Sequence, residues 1–414
     1  MSRLVPVMPL VGTSRPAPAF GVVITALGVA QIFAWGSSYY LLAVLAKPIA
    51  ADTGWQLTWV VGGLSLGLLA AGLVSPWVGR GIERRGGRPV LAVGAVLLSA
   101  GLALLAMAQT LPVYFAAWLV LGLGMGAGLY DPAFATLGRL YGESARSAIT
   151  TLTLFGGFAS TVCWPLSAFM VTHFGWRGTC LVYAAFHLAV LLPLYLWALP
   201  REAERQSKPD RAVVTGAAGN ASGQRASHTW FLLGLLATAI TLSSVISTLV
   251  SVHLLTILRS RGLGLATAVA LGALVGPSQV GARLIELLIA RYHHPIWTKL
   301  AATLLVGIGM TGLWAALPVI AVPLVFYGAG IGLESIARGT LPLALFAGPG
   351  YAAVMGRLAM PSLMAQAAAP SIGAALLGAY GASGTLATLM AVAGVNFVLV
   401  VLMFMSLQRS RECA

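Results

Sequence analysis

Twelve separate stretches of this chain are long and apolar enough to cross a bilayer, and nothing else in it limits the fold as much. A helix needs about 20 mostly apolar residues to span the hydrocarbon. Such runs fall at 20–46, 56–79, 89–109, 112–138, 147–172, 178–199, 229–257, 264–290, 296–316, 319–345, 351–380 and 383–407. Each is continuous rather than alternating, which selects helices over a barrel. The expected fold is therefore all-α, a polytopic membrane protein. Of the 414 residues 59% are hydrophobic and 8% charged, against about a quarter charged in soluble domains. That balance excludes an ordinary soluble enzyme and a disordered chain alike. The 49 glycines and 21 prolines lack the three-residue period of collagen.

The polar segments divide the chain. Residues 1–19 carry Arg3 and Arg15 among four prolines and read as a cytoplasmic tail rather than a cleaved leader. Residues 200–228, charged at first and then rich in Gly, Ala and Ser, read as a cytoplasmic linker between two halves, 20–199 and 229–407. Residues 408–414 form a second cytoplasmic tail. With a cytoplasmic N-terminus the outer side holds only Lys47, Arg177, Arg259 and Arg261 of the 24 basic residues, as the positive-inside bias requires. The net charge of +14 then reflects topology, and no nucleic acid partner is implied. The expected location is a cell membrane, the inner membrane in a bacterium, with lipid and a small solute as partners and the monomer as the unit. Cys163, Cys180 and Cys413 form no CxxC pair and no metal-ligand spacing, so neither a metal nor another cofactor is expected.

The halves echo each other. Gly124, Gly126 and Gly128 precede Asp131 in the fourth run, with Arg139 beyond; Gly328, Gly330 and Gly332 precede Glu334 in the tenth, with Arg338 beyond. Ala145-Arg146-Ser147-Ala148 likewise parallels Gly356-Arg357-Leu358-Ala359. Glycines alone recur by chance, but the acid and base that follow them mark a parallel repeat. Such a repeat places a transport site at the interface of the halves.

Between the second and third runs the chain reads Gly79-Arg80-Gly81-Ile82-Glu83-Arg84-Arg85-Gly86-Gly87-Arg88. This resembles the cytoplasmic loop signature of the major facilitator superfamily: Gly, three residues, an acid, Arg, any residue, Gly, then bases. Glu83 stands where that family more often has aspartate. The resemblance implies a pseudo-symmetric carrier of twelve helices working by alternating access, in which the loop charges brace one conformation. Gly79, Glu83, Arg84 and Arg88 with Asp131 are the expected first cluster. Arg283, Glu286, Glu334 and Arg338 are its expected second-half counterpart, since ionised groups at membrane depth must be paired or face water.

Coupling is less marked. Of the ten acids only Asp131, Glu286 and Glu334 lie within predicted spans; Glu334 is the best remaining carboxylate for coupling, while burial beside Arg338 would instead keep it charged. Trp118 stands where many proton-linked relatives have a base. The fifth run, reading Gly156-Gly157 through Trp164-Pro165, does not meet the drug-antiporter signature. His187 and His253 are expected to be packed, hydrogen-bonded residues.

Depth along the helices nominates Gln31, Trp35, Tyr39, Tyr130, Ser160, Trp164, Ser243, Ser247, Gln279, Arg283, Tyr327 and Gln366 as cavity lining, suited to a modest organic solute. Tyr39-Tyr40, Pro48-Ile49 and Gly54-Trp55 are similar to the monocarboxylate and oxalate/formate branch, whose carriers place a substrate arginine on the eighth helix. That resemblance implies an organic anion, with gating the first reading of Arg283 and anchoring the second. Residues 20–46 contain no lysine, unlike the first helix of many of those carriers. Drug or metabolite export is the alternative substrate reading. The lack of a Walker loop leaves pumping by ATP hydrolysis unsupported, and the lack of a nucleophile, base and orienter combination means that no enzyme is expected. A non-transporting receptor or scaffold would need no alternating charge cluster.

Overall fold

The computed structural model describes residues 20–201 and 220–412. The expected N-terminal tail and most of the expected linker lie outside the described residues. Every element within them is helical.

In the first half α1 (Phe20–Gly36) and α2 (Leu41–Thr53) form the first crossing, and α3 (Leu57–Arg85) and α4 (Gly87–Ala106) the next two. The fourth crossing is α5 (Leu111–Gly128) with α6 (Tyr130–Tyr141). The fifth and sixth are α7 (Ala145–Gly157), α8 (Ala159–Phe186), a π turn at His187–Leu191 and α9 (Leu192–Ala198). The second half holds α10 (Asn220–Ser260), α11 (Leu265–Ala273), α12 (Val275–Ile289), α13 (Pro295–Trp314), α14 (Ala321–Phe346) and α15 (Tyr351–Glu412). Nine helical stretches among the described residues meet the length and polarity needed to cross. Two of them, of 54 and 59 residues, are too long for one crossing. Each contains one glycine with non-helical angles, Gly175 (φ 67°, ψ 176°) and Gly381 (φ 63°, ψ −172°). Positive φ there strains any other residue, and each glycine ends one crossing and starts the next. α14 adds the twelfth crossing, its apolar run diluted by Glu334 and Arg338. The helices also run past two expected ends: α10 begins at Asn220 and α15 continues to Glu412.

The two halves repeat in packing as well as connection. Gly122 and Gly126 of α5 lie against α3, and Gly124 lies against Leu98 of α4. Gly328 and Gly332 of α14 lie against α12, and Gly330 lies against Ala302 and Val306 of α13. In both halves alternate glycines of one helix receive the two preceding helices at a distance no side chain would permit, as small residues do in membranes. The equivalent hinge glycines, Gly175 and Gly381, close the same repeat. Around the outside, large apolar residues such as Trp77, Trp197, Ile285 and Leu288 stand exposed, as a surface solvated by lipid requires.

One break has a legible cause. Pro132 has no N–H, so the Gly128 carbonyl four residues earlier loses its helical donor. Leu129 is extended (φ −84°, ψ −158°), and the Gln31 side-chain amide donates to that carbonyl at 2.8 Å. The break lets α6 start afresh at Tyr130, with Asp131 in its first turn, where the helix dipole favours an acid.

Candidate functional site

The end of the bundle that carries residues 79–88, here the basic end, is where charges cross between the halves. Arg338 of α14 donates through Nε to Asp131 Oδ1 (2.9 Å) and through Nη2 to Oδ2 (2.8 Å). Two parallel charge-assisted bonds are the strongest arrangement these groups can make. A third donor, Nη1, reaches Ser244 Oγ at 3.5 Å, which meets Ser362 Oγ at 2.7 Å. A second crossing joins Arg146, at the start of α7, to Glu286 of α12 at 3.8 Å and to the His293 carbonyl at 2.5 Å. A third is neutral at its far side: Arg283 Nη1 donates to the Thr153 carbonyl at 3.0 Å.

Backbones meet there too. A Cβ on Gly79 of α3 would strike the Ala352 carbonyl, and one on Gly356 of α15 the Ser75 carbonyl. Tyr351 Oη donates to the Gly339 carbonyl at 3.2 Å, beside Phe134 and Ile149 of the first half. Tyr351, Ala352 and Met355 belong to one buried apolar cluster with Phe134, Ala135 and Ile149. The basic end is thus shut. At the opposite end Asp52 accepts from Trp176 Nε1 at 3.0 Å and from Arg177, contacts that stay within the first half. Near that end a cleft of about 460 Å³ lies between α2 and α8, lined by Ala43, Val44, Ser160, Trp164 and neighbours.

The expected clusters are not the pairs that form. Among the described residues no ion pair joins Glu83 or Asp131 to Arg84 or Arg88. The reason is depth. The Glu83 carbonyl accepts from Arg139, which stands eight residues beyond Asp131 on α6, about 12 Å at helical rise. Asp131 is therefore too deep for the loop arginines, and Arg338 of the other half is its partner. The second-half four are likewise separated. Glu334 Oε1 binds Lys299 Nζ of α13 at 2.5 Å. Glu286 accepts from Thr298 Oγ1 at 2.7 Å and faces His293 Nε2 at 3.5 Å. Arg283 donates to Ser335 Oγ (3.0 Å) and to Gln279 Oε1 (3.4 Å). Arg283 and Glu286 share a helix face by spacing, yet one side chain runs toward α14 and α7 and the other toward the first turn of α13.

Inside the bundle the aromatic candidates do gather. Trp35 lies 5.2, 5.9 and 5.0 Å from the rings of Tyr39, Tyr40 and Tyr130, and Tyr40 lies 6.3 Å from Trp164. The edge-on and tilted geometries are those aromatic pairs favour. Ser160 and Trp164 reach the cleft. Other candidates are committed to packing: Gln31 caps Gly128, Ser243 takes hydrogen bonds from Lys299 (3.3 Å) and Asn396 (2.8 Å), and Gln366 donates to Ser362 (3.3 Å). Tyr327 Oη reaches the Ser247 carbonyl at 3.5 Å. His187 is buried against Ser37 Oγ at 2.8 Å, and His253 bonds the Pro370 carbonyl at 3.0 Å.

Arg283 differs from the other buried charges. It is 5% exposed, and its partners are two carbonyls, a hydroxyl and an amide. Among the described residues no carboxylate comes within ion-pair distance of it. A buried cation left without a counter-charge is expensive, and an anion entering beside Tyr130, which shares the Thr153 carbonyl with Arg283, would supply one. Sequence reasoning missed Lys299 and the roles of Arg146 and His293. The signal for Lys299 was a lone base inside the apolar run 296–316.

Two pseudo-symmetric six-helix halves, closed at one end by charged contacts between them, define a multi-pass membrane transporter. The chain belongs to the Major Facilitator Superfamily, whose model matches residues 27–348. It is 36% identical over 159 residues to mouse monocarboxylate transporter 11, covering 36% of this chain and 33% of that one. It is also 36% identical over 110 residues to rat monocarboxylate transporter 3, covering 26% and 22%. The matched region spans about a third of the length of mouse transporter 11 and less of rat transporter 3. Among solved structures it is similar to the human organic anion transporter MFSD10 (TETRAN), with TM-score 0.70 at 17% identity over 92% of this chain and 100% of that one. It is similar also to the proton:xylose symporter XylE, with TM-score 0.66 at 13% identity over 92% and 94%; both likenesses concern the fold. The chain is thus a secondary transporter, which sets aside the enzyme and scaffold readings.

Proposed function

We propose that this carrier moves a small organic anion, a carboxylate foremost, by rocking residues 20–199 against 229–407 around a central site. Arg283 is the observation that carries the reading: a buried guanidinium held by neutral acceptors, sharing the Thr153 carbonyl with the Tyr130 hydroxyl, and with no carboxylate paired to it among the described residues. The substrate carboxylate completes the pair, and the aromatic rings take its apolar body. The partial similarity to monocarboxylate transporters supports the same class. The basic end faces the cytoplasm, as the distribution of Lys and Arg favours. Asp131–Arg338 and Arg146–Glu286 are the contacts that hold that end shut and part when it opens.

Uptake of labelled pyruvate, lactate and benzoate into proteoliposomes tests this. At least one should accumulate with the wild type, Arg283→Gln should abolish it, and Arg283→Lys should retain binding with a raised KM, since an ammonium keeps the charge but loses the fork. Transport of amphiphilic drugs with no carboxylate flux would overturn the anion reading in favour of efflux.

A further inference from the structure

We propose that Lys299 and Glu334 form a proton-binding site whose occupancy is tied to the opening of the basic end. Lys299 is 1% exposed, yet it carries an ammonium 2.5 Å from Glu334 Oε1 and 3.3 Å from Ser243 Oγ. Asn396, bonded to the same hydroxyl at 2.8 Å, leaves its buried Oδ1 without a partner. A buried ion pair contributes little net stability compared with apolar residues of the same volume. Stability therefore does not account for this one, and ionisable groups at membrane depth mark ion and proton paths.

The link to the gate is one turn of α14. Glu334 and Arg338 are four residues apart and so neighbours on that helix. In the shut form Asp131 occupies Arg338 and leaves Glu334 to Lys299. The charged groups around the ammonium are Glu334 and Arg338 of α14, with Asp131 of α6 beyond Arg338 and Glu286 of α12 at the adjacent Thr298. α10 and α15 bring the neutral Ser243 and Asn396. When the basic end opens, Asp131 leaves with the first half, and Arg338 turns to Glu334. Lys299 is then buried with no anion. One Nζ–H bond breaks, the electron pair stays on nitrogen, and the proton passes along Glu334, 12% exposed, to water in the opened cavity. Closing takes one proton back.

Because the shut form holds the extra proton, raising the pH must favour the open form, by up to about tenfold in the open-to-shut ratio per pH unit. The test is the distance between spin labels at Ser144→Cys and Pro349→Cys, exposed on opposite halves at the basic end, in a Cys413→Ser background in nanodiscs across about pH 5 to 9. The wild type should shift toward longer distances as pH rises. Glu334→Asp should keep the response, and the double variant Lys299→Met/Glu334→Gln, which removes both charges together, should fold and lose it. A wild-type distribution unchanged with pH, or a double variant that follows pH like the wild type, would overturn the proposal. The readout needs no substrate, so a failure of the carboxylate reading leaves it decisive.

Discussion

Neutralising Asp131 should open the basic end, and the size of the effect follows from its geometry. Asp131→Asn keeps the shape but removes the charge and one of two acceptors facing Arg338, at 2.9 and 2.8 Å. Both side chains are mostly buried, 15% and 17% exposed. Breaking a fully buried pair costs about 3 to 5 kcal/mol, and partial exposure reduces this to about 2 kcal/mol. If, as proposed, the pair parts when the end opens, the whole penalty falls on the shut form, and the open-to-shut ratio should rise about 30-fold. Ser75→Cys provides the assay. Ser75 is buried in the α3–α15 contact, cysteine matches it in size, and its labelling by a charged thiol reagent requires that contact to part. Labelling should accelerate about 30-fold in Asp131→Asn, and Asp131→Asn/Arg338→Gln should be less than additive. Unchanged labelling in Asp131→Asn, with Arg338→Gln equally silent, would refute the role of the pair in closing this end.

Three other outcomes follow. Lys299→Met alone leaves Glu334 without its partner and should lower the melting temperature of the detergent-purified protein more than Lys299→Met/Glu334→Gln does, by about 2 to 4 kcal/mol of stability. Gly356→Leu places a side chain against the Ser75 carbonyl and should hold the α3–α15 contact apart, trapping the carrier open at the basic end and stopping exchange while labelling of Ser75→Cys stays fast. Gly157→Ala would drive a methyl into Arg283 Nη1 and should weaken carboxylate binding, measured as a raised KM, with little loss of thermal stability.

Much of the architecture was readable from apolar runs, because lipid rewards continuous helices and leaves few alternatives. The bends were less so. The turn at Gly36–Tyr40 and the restart at Tyr130 lie within single apolar runs, and the missing donor of Pro132 is the one sequence mark of the second. Asp131, Arg338, Glu286 and Glu334 stood out as charges at depth, but periodicity gives a residue's face and level, not its partner across an interface. That is why the sequence alone places Asp131 beside Arg84 and Arg88, about 12 Å too shallow, and groups Arg283 with Glu286 although their side chains diverge. Lys299 stands out in the sequence only as a lone base inside the run 296–316, and its burial depends on packing that periodicity does not reveal.

Rocking of the two halves would make closure of the basic end and opening of the other one motion. Label pairs at each end, Ser144→Cys with Pro349→Cys and Gln56→Cys with Ser260→Cys, compared between wild type and Asp131→Asn/Arg338→Gln, measure it directly. The first distance should lengthen while the second shortens. Two distances that move in the same direction, or neither moving, would contradict it.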